Sequence, residues 1–488
     1  MSENKVSGRS AKSRGPEGRG AGALMPRRVS AKQGHNQAMA SAGADENTPE
    51  GGEPGPGLVT DEDGLEPVQL TAMSDAASRM GALMLGSGTG SFRVLRAMRQ
   101  VAAALGIDRL QAQVTLTHIV STTTRQGIFR TQVLEVAAPS VNADRIAALQ
   151  TIARDLPEGS SAAELDALLD EVEHRAALYG TRWLVLAAAV ACAAFAFLNN
   201  GGWAECLVVF AAAACGRFAQ LVLTRRKINQ LACVLVAAAI GCLVYVTVTT
   251  GIRHLDPGAA GLHASAFTSS VLFLVPGFPL MTAALDLSRN DLAAGIQRLT
   301  YAGLIIFSAG LGSWMVVAVT GVSPAAAPVP AIGLAALDAL RLVAGFAAVF
   351  GFAVGFNTPR RFAVAAAGIG SVANTARLTA IGLHLPQQFA ATGATFAVGI
   401  AAALVSSYLR SPRIVLSVPA VLIMIPGATA FRALVFLNDG QITLALANGA
   451  QAAITVASLA VGLVIARVIT DRNWTLAEAS KEAEPGCR

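Results

Sequence analysis

The stretch "FLVPGFPLMTAALDLSRND", Phe273 to Asp291, begins as apolar as a membrane-spanning helix. It then carries Pro276, Gly277 and Pro279 where a straight helix wants none, and it meets a carboxylate, Asp286, before any clear loop. A proline removes a backbone donor and opposes its preceding turn, so the carbonyls and amides around it lose their intrahelical partners. In hydrocarbon those groups must be buried against protein or line a watery cavity. Freed amides at a half-helix N-terminus suit a carboxylate, and freed carbonyls at a half-helix C-terminus suit an ammonium or a cation. The plain alternative is a proline kink satisfied by neighbouring helices.

The whole chain supports a membrane setting. Its 488 residues are 53% hydrophobic and only 14% charged, with a mean hydropathy of +0.53, which excludes an ordinary soluble composition. A span needs about 20 apolar residues. Ten candidate spans follow, near 182–198, 203–223, 230–250, 264–287, 295–320, 332–356, 362–383, 388–409, 413–437 and 441–468. Arg182, Arg225-Arg226-Lys227, Arg289 with Arg298, Arg360-Arg361, Arg410 with Arg413, and Arg467 with Arg472 all fall on one side of such a bundle. The positive-inside rule places that side, and both termini, in the cytoplasm. The same placement accounts for the net charge of +6 without a nucleic-acid partner. Cys192, Cys206, Cys215, Cys233 and Cys242 lie in or beside the spans and read as small packing residues, while Cys487 sits in a polar tail.

Residues 1–67 read as a disordered tail with a basic half and an acidic half, and "MSENKVSGRSAKSRGPEGRG" lacks the apolar core of a secretory signal. Residues 68–180 have the composition of a small cytoplasmic α+β domain. "SFRVLRAMRQVAAALGI" reads as an amphipathic helix with Phe92, Leu95, Met98, Val101 and Leu105 near one face. "QAQVTLTHIVSTTT" reads as a strand with Val114, Leu116, His118 and Val120 inward, and "GIFRTQVLEV" as its hairpin partner. Two more helices, near 142–156 and 161–179, lead to the membrane. "LGSGTGS" does not supply the Gly-x-Ser-x-Gly of a nucleophile elbow, so Gly86, Gly88 and Gly90 read as helix caps or an anion cradle. His254, His263 and His384 lack metal-ligand spacing. No enzyme activity, metal or cofactor is expected.

The opening stretch recurs. "LFLVPGFPLMTAALDL" matches "VLIMIPGATAFRALVFL", Pro276-Gly277 on Pro426-Gly427, and "NQLACVLVAAAIG" matches "QQFAATGATFAVG" upstream. Residues 181–321 and 331–470 thus read as two five-span repeats, with a polar tail over 471–488. Because five is odd, the second copy must be upside down relative to the first, the inverted-repeat plan of many secondary transporters.

At "VPGFPLMTAALDLSRNDLAAGIQR" the sequence resembles the signature of the threonine/serine exporter (ThrE) family, on Val275, Pro276, Gly277, Pro279, Leu280, Asp286, Gly295 and Arg298. "GALMLGSGTGSFRVLRAMRQVAAALGI" is similar to that family's soluble module and "LIMIPGATAFRALVFL" to its second broken span, so the resemblance covers Val68 to about Arg472. It implies a multi-pass protein of the bacterial inner membrane that exports L-threonine and L-serine against protons; the alternatives are an exporter of another small zwitterion or carboxylate and a membrane-tethered hydrolase, and whether the chain forms a homo-oligomer stays open. The second repeat departs from the first by having Phe436 where Asp286 would fall.

Ionisable and polar groups inside spans are costly and mark candidate pathways. Asp286 can exchange a proton or meet an ammonium, or can pair with Arg289 or Arg298. Arg217, with Asn374 and Arg377, and Arg432 can hold a carboxylate, or snorkel. Asp338 and Arg341, three apart, can neutralise each other, and Asn448 and Gln451 can bind a hydroxyl or join helices.

Overall fold

A computed structural model of the chain describes residues 68–136, 140–255, 264–321 and 332–471. The expected tail over 1–67, most of the one over 471–488 with Cys487, and His263 lie outside the described residues.

The chain first builds four helices and one sheet: α1 (Val68–Gly86), α2 (Ser91–Ala104), β1 (Arg109–Val114), β2 (His118–Arg125), β3 (Ile128–Glu135), α3 (Ala143–Asp155) and α4 (Ala162–Glu173). Their starts are written locally. The Asn142 side chain accepts from the Arg145 amide at the head of α3, and Ser161 forms a reciprocal capping box with Glu164 at the head of α4. Met80, Met84, Met98, Ile119, Leu149 and Leu165 are fully buried in a core of their own. Arg79 of α1 clips α4 on, bonding Asp166 (3.1 Å), Glu173 (2.7 Å) and Asp170.

The sheet is antiparallel in the order β1-β2-β3. Gln126 and Gly127, both at positive φ, turn β2 into β3, as a two-residue hairpin requires. β3 is the hairpin partner read from sequence, but "QAQVTLTHIVSTTT" is two strands with a turn over Thr115–Thr117, and the inward phase of β2 is the opposite of the one expected. Ile119, Ser121 and Thr123 are buried, while His118 and Val120 are exposed. Hydroxyls explain the reversal: Ser121 bonds Ser78 at 3.0 Å and Thr123 donates to Ser74 at 3.0 Å, so the face that packs on α1 is polar in composition. Apolar alternation then points the wrong way.

The remaining helices are α5 (Thr181–Leu198), α6 (Trp203–Arg225), α7 (Gln230–Leu255), a 3-10 helix (Ala264–Leu274), α8 (Gly277–Leu287), α9 (Leu292–Thr320), α10 (Leu334–Gly355), α11 (Arg360–Gly382), α12 (Gln387–Leu409), α13 (Arg413–Leu422), α14 (Gly427–Asn438) and α15 (Ile442–Thr470). Among the described residues, seven helices are long and apolar enough to cross a membrane, and nine spans result if each bent pair counts as one. This is a multi-pass helical membrane protein. Each expected span coincides with a helix or a bent pair, and only α11 falls outside those nine: it has the length, but carries Arg360, Arg361 and Arg377.

Both proline-glycine dipeptides break their spans. The 3-10 helix meets α8 at 68° and α13 meets α14 at 51°. The half before the first break is a 3-10 helix, a tighter winding than the broken α-helix expected from sequence. The backbone at the two breaks is nearly the same, Pro276 at φ −80°, ψ 60° and Pro426 at φ −77°, ψ 56°. In both, the glycine amide donates two residues back, Gly277 to Val275 and Gly427 to Ile425, each at 2.8 Å. The breaks also pack on each other reciprocally: Gly277 lies against Leu422 and Ile425, and Gly427 against Leu272 and Val275. A Cβ on Gly427 would stand 2.6 Å from Leu272 Cδ2, so a side chain at either glycine displaces the apolar side chains packed at the crossing.

The elements α1–α4 and the segment before α5 are bonded to the later helices. The Ala143 and Asp144 amides donate to the Phe356 and Asn357 carbonyls (2.9 and 3.2 Å), Tyr179 Oη donates to the Thr358 carbonyl (2.8 Å), and the Leu116 amide donates to Gln297 Oε1 (3.0 Å).

Candidate functional site

Two polar constellations lie within the bundle. The first is at the far end of α8. Asp286 Oδ2 stands 3.2 Å from Arg298 Nε, and both side chains are all but fully buried. The pair is close but poorly aligned, since neither of these two atoms has a hydrogen-bond partner. Partners come instead from the turn between α1 and α2 and the start of α2. Ser91 Oγ donates to Asp286 Oδ1 at 3.1 Å, and Arg298 Nη2 donates to the Thr89 carbonyl at 2.8 Å. Ser91 is the first residue of α2, and Gly90 before it offers no side-chain cap. The Asp286 carboxylate therefore sits where a helix N-terminus, with its unpaired amides and positive dipole end, favours an anion. Of the two arginines weighed as partners for Asp286, Arg298 stands 3.2 Å from it; Arg289 lies over the Phe92 ring at 3.8 Å.

The second constellation surrounds the second break. A cavity of about 200 Å³ is lined by Asn374 and Arg377 of α11, Pro426, Gly427, Ala428 and Thr429 at the break, and Arg432 of α14, with Gln387 and Asn199 on its polar side. Arg377 Nε and Nη2 both donate to Asn374 Oδ1, at 3.1 and 2.9 Å, so Asn374 aims the guanidinium. Arg432 Nε is buried with no partner. No side chain caps α14. The wall also includes Ile423, Met424 and Ile425, the backbone just past the end of α13. One cavity thus meets the C-terminal end of one half-helix and the N-terminal end of the next. A helix C-terminal end carries partial negative charge and an N-terminal end partial positive charge.

Five sequence candidates therefore share one cavity: Asn374, Arg377, Pro426, Gly427 and Arg432. Asp286 and Arg298 form the separate pair. Pro276 and Gly277 hold the crossing, and the Pro279 carbonyl accepts from Thr282 Oγ1 at 3.1 Å. Arg217 is in neither place; it is bonded to Gln220 on its own helix. Asp338 and Arg341 do pair, at 3.2 Å, and Asp338 also accepts from Thr379. Gln451 joins helices through Gln387 at 3.0 Å, while Asn448 bonds its own backbone. A larger cavity of about 750 Å³ lies between the 3-10 helix, α9, α14 and α15, but its lining is almost wholly Val, Leu, Ile and Ala. Its described lining residues include no charged side chain, though it also touches both breaks at Val275, Pro426 and Gly427. Sequence reading missed Ser91, Thr89, Gln387 and Asn199. For the first two no local signal exists, since their partners are 195 and 209 residues away.

Two family models described as threonine/serine exporter match, ThrE over residues 75–320 and a second ThrE model over 341–469. The threonine/serine exporter of Corynebacterium glutamicum is 24% identical over 416 residues, covering 83% of each chain. A "Probable threonine/serine exporter" of Mycobacterium tuberculosis is 26% identical over 435 residues, covering 82% of this chain and 77% of its own. The "Probable succinate transporter subunit YjjP" of Escherichia coli K12 is 28% identical over 265 residues, covering 53% of this chain and 98% of its own. No solved structure matches. A chain that combines these broken spans with matches over both halves belongs to the ThrE family of threonine/serine exporters.

Proposed function

We propose that this protein exports L-threonine and L-serine in exchange for protons, and that the cavity at the second break receives the amino acid. The observation that carries this reading is the pairing of opposite helix ends in one cavity. The amides of Ala428 and Thr429, with Arg377 and Arg432, suit the substrate carboxylate. The carbonyls after α13 suit its ammonium, and Asn199 or Gln387 the hydroxyl. Asp286 is the proton carrier in this reading, with Arg298 as its ionised-state partner.

The two halves are then inverted repeats, with α11 as the tenth span. Matching torsions at Pro276 and Pro426 and the reciprocal contacts of the two glycines support a pseudo-two-fold relation. The basic residues at alternate helix ends support an orientation with both termini and the α+β domain of α1–α4 in the cytoplasm.

A second reading takes a dicarboxylate such as succinate. It is favoured by two guanidinium groups in a cavity whose described lining residues include no carboxylate to meet an ammonium. One experiment separates the two. Cells lacking their own exporters, loaded with threonine-containing dipeptides, should release threonine faster with this protein, and an uncoupler should abolish the difference. Faster succinate release with unchanged threonine release, from membranes shown to hold the protein, refutes the first reading in favour of the second.

A further inference from the structure

The loop Gly86–Ser91 has no part in the exporter reading so far, yet it touches the acid on which that reading depends. Asp286 and Arg298 approach to 3.2 Å without an aligned hydrogen bond between them. Buried charges need bonds as well as proximity. The loop supplies them: the Ser91 hydroxyl to Asp286 at 3.1 Å and the Thr89 carbonyl to Arg298 at 2.8 Å. Thr89, Gly90 and Ser91 are themselves buried, so the acid cannot meet water past them. The fit is close. A Cβ on Gly90 would stand 3.0 Å from Asp286 Oδ1, which explains a glycine at that place. Beside the pair lies a void of about 20 Å³, space for a single water. The other charged groups around Asp286 are Asp291 at the head of α9, Arg289 in the turn after α8, Arg93 of α2 and Arg467 of α15.

We propose that Ser91 is a positioning residue of the transport site, and that the Gly86–Ser91 loop it anchors is the barrier between the Asp286–Arg298 pair and the aqueous phase on the α1–α4 side. The loop is built to leave as well as to hold. Three of its six residues are glycine, and Gly88, at φ +89°, takes a backbone conformation that other residues rarely adopt. Backbone bonds to α1 and from the Ser140 and Asn142 amides fix the loop's first half, while Thr89 and Ser91 hold the pair by two polar contacts with charges, so whatever changes those charges loosens that second half. A proton on Asp286 removes the anion that Ser91 and the head of α2 bind. The inference rests on the exporter reading only for the identity of the species that then enters.

The test is chemical access to one carboxyl. Full-length protein in native membrane fragments is treated with a water-soluble carbodiimide, and modification at Asp286 is followed by peptide mass spectrometry, with Asp286→Asn as the blank. The wild type should react slowly and Ser91→Ala about tenfold faster, since a hydrogen bond to a charged group is lost. Ser91→Thr, which keeps the hydroxyl, should restore protection. In transport, Ser91→Ala should change the KM for threonine more than the amount of folded protein. Should Ser91→Ala fail to accumulate, Ser91→Cys keeps the volume, weakens the donor and carries the same expectation. Equal labelling of wild type and Ser91→Ala, or no rescue by threonine, overturns the proposal. Failure of the exporter reading looks different: no threonine flux in any variant, with the labelling difference intact.

Discussion

The Asp286–Arg298 pair allows a quantitative test through a double-mutant cycle of Asp286→Ala, Arg298→Met and the two together. Their side chains are 4% and 2% exposed and 3.2 Å apart, and at an effective dielectric of about 20 a Coulomb attraction over that distance is roughly 5 kcal/mol. Desolvation offsets much of it, so the pair adds little net stability. Removing one partner strands the other, which costs about 3–5 kcal/mol. Asp286→Ala should lose about 1 kcal/mol more, because Ser91 and the uncapped head of α2 lose their acceptor. The double variant strands no charge. Its loss should fall short of the sum of the singles by at least ~2 kcal/mol, far outside the ~0.5 kcal/mol scatter of independent sites. The assay is denaturant unfolding of the detergent-solubilised protein, followed by tryptophan fluorescence, with the shift in midpoint converted through the common slope. Additive losses would falsify the claim that these two charges hold each other in the buried state. The double variant should also be inactive in proton-coupled export, separating folding from function.

Other expectations follow from single contacts. Gly427→Leu drives a side chain into Leu272 at the crossing of the breaks and should cost about 1–3 kcal/mol or more, read as a lower unfolding midpoint, with Gly427→Ala milder. Arg432→Gln removes a half-buried guanidinium, whose buried Nε is unpartnered, from the cavity; the KM for threonine should rise about tenfold or more while membrane levels stay unchanged. Arg79 holds the Asp170 carboxyl below the ordinary carboxylate range, chiefly by hydrogen bonding. A carboxyl depressed in the folded state contributes stability above the unfolded value near pH ~4, and that contribution is lost as pH falls through the folded value. Arg79→Ala should therefore flatten the acid side of the unfolding profile below about pH 4, by a small amount because the group is exposed.

Much of the fold was legible because its causes are local. Apolar runs of about 20 residues are set by bilayer thickness, and Pro276 and Pro426 mark breaks by chemistry each residue carries alone. Asn142 and Ser161 announce their helices with a side chain three residues from its target. What stayed hidden depends on partners distant in the chain. Ser91 reaches Asp286 across 195 residues. Ser121 and Thr123 turn inward because Ser74 and Ser78 wait for them on α1, so polarity misstates burial there. Arg217 and Arg377 look equivalent as embedded arginines, but Gln220 occupies one while Asn374 turns the other toward a cavity. The candidate site was readable as a set of costly groups, not as their partition between two places.

The most direct measurement of the central claim is flux in proteoliposomes holding the purified protein, loaded with threonine, under an imposed pH gradient. The account predicts threonine efflux that follows the gradient with matching proton uptake, lost in Asp286→Asn and weakened through KM in Arg432→Gln. Threonine flux indifferent to the gradient, or undiminished in both variants, contradicts it.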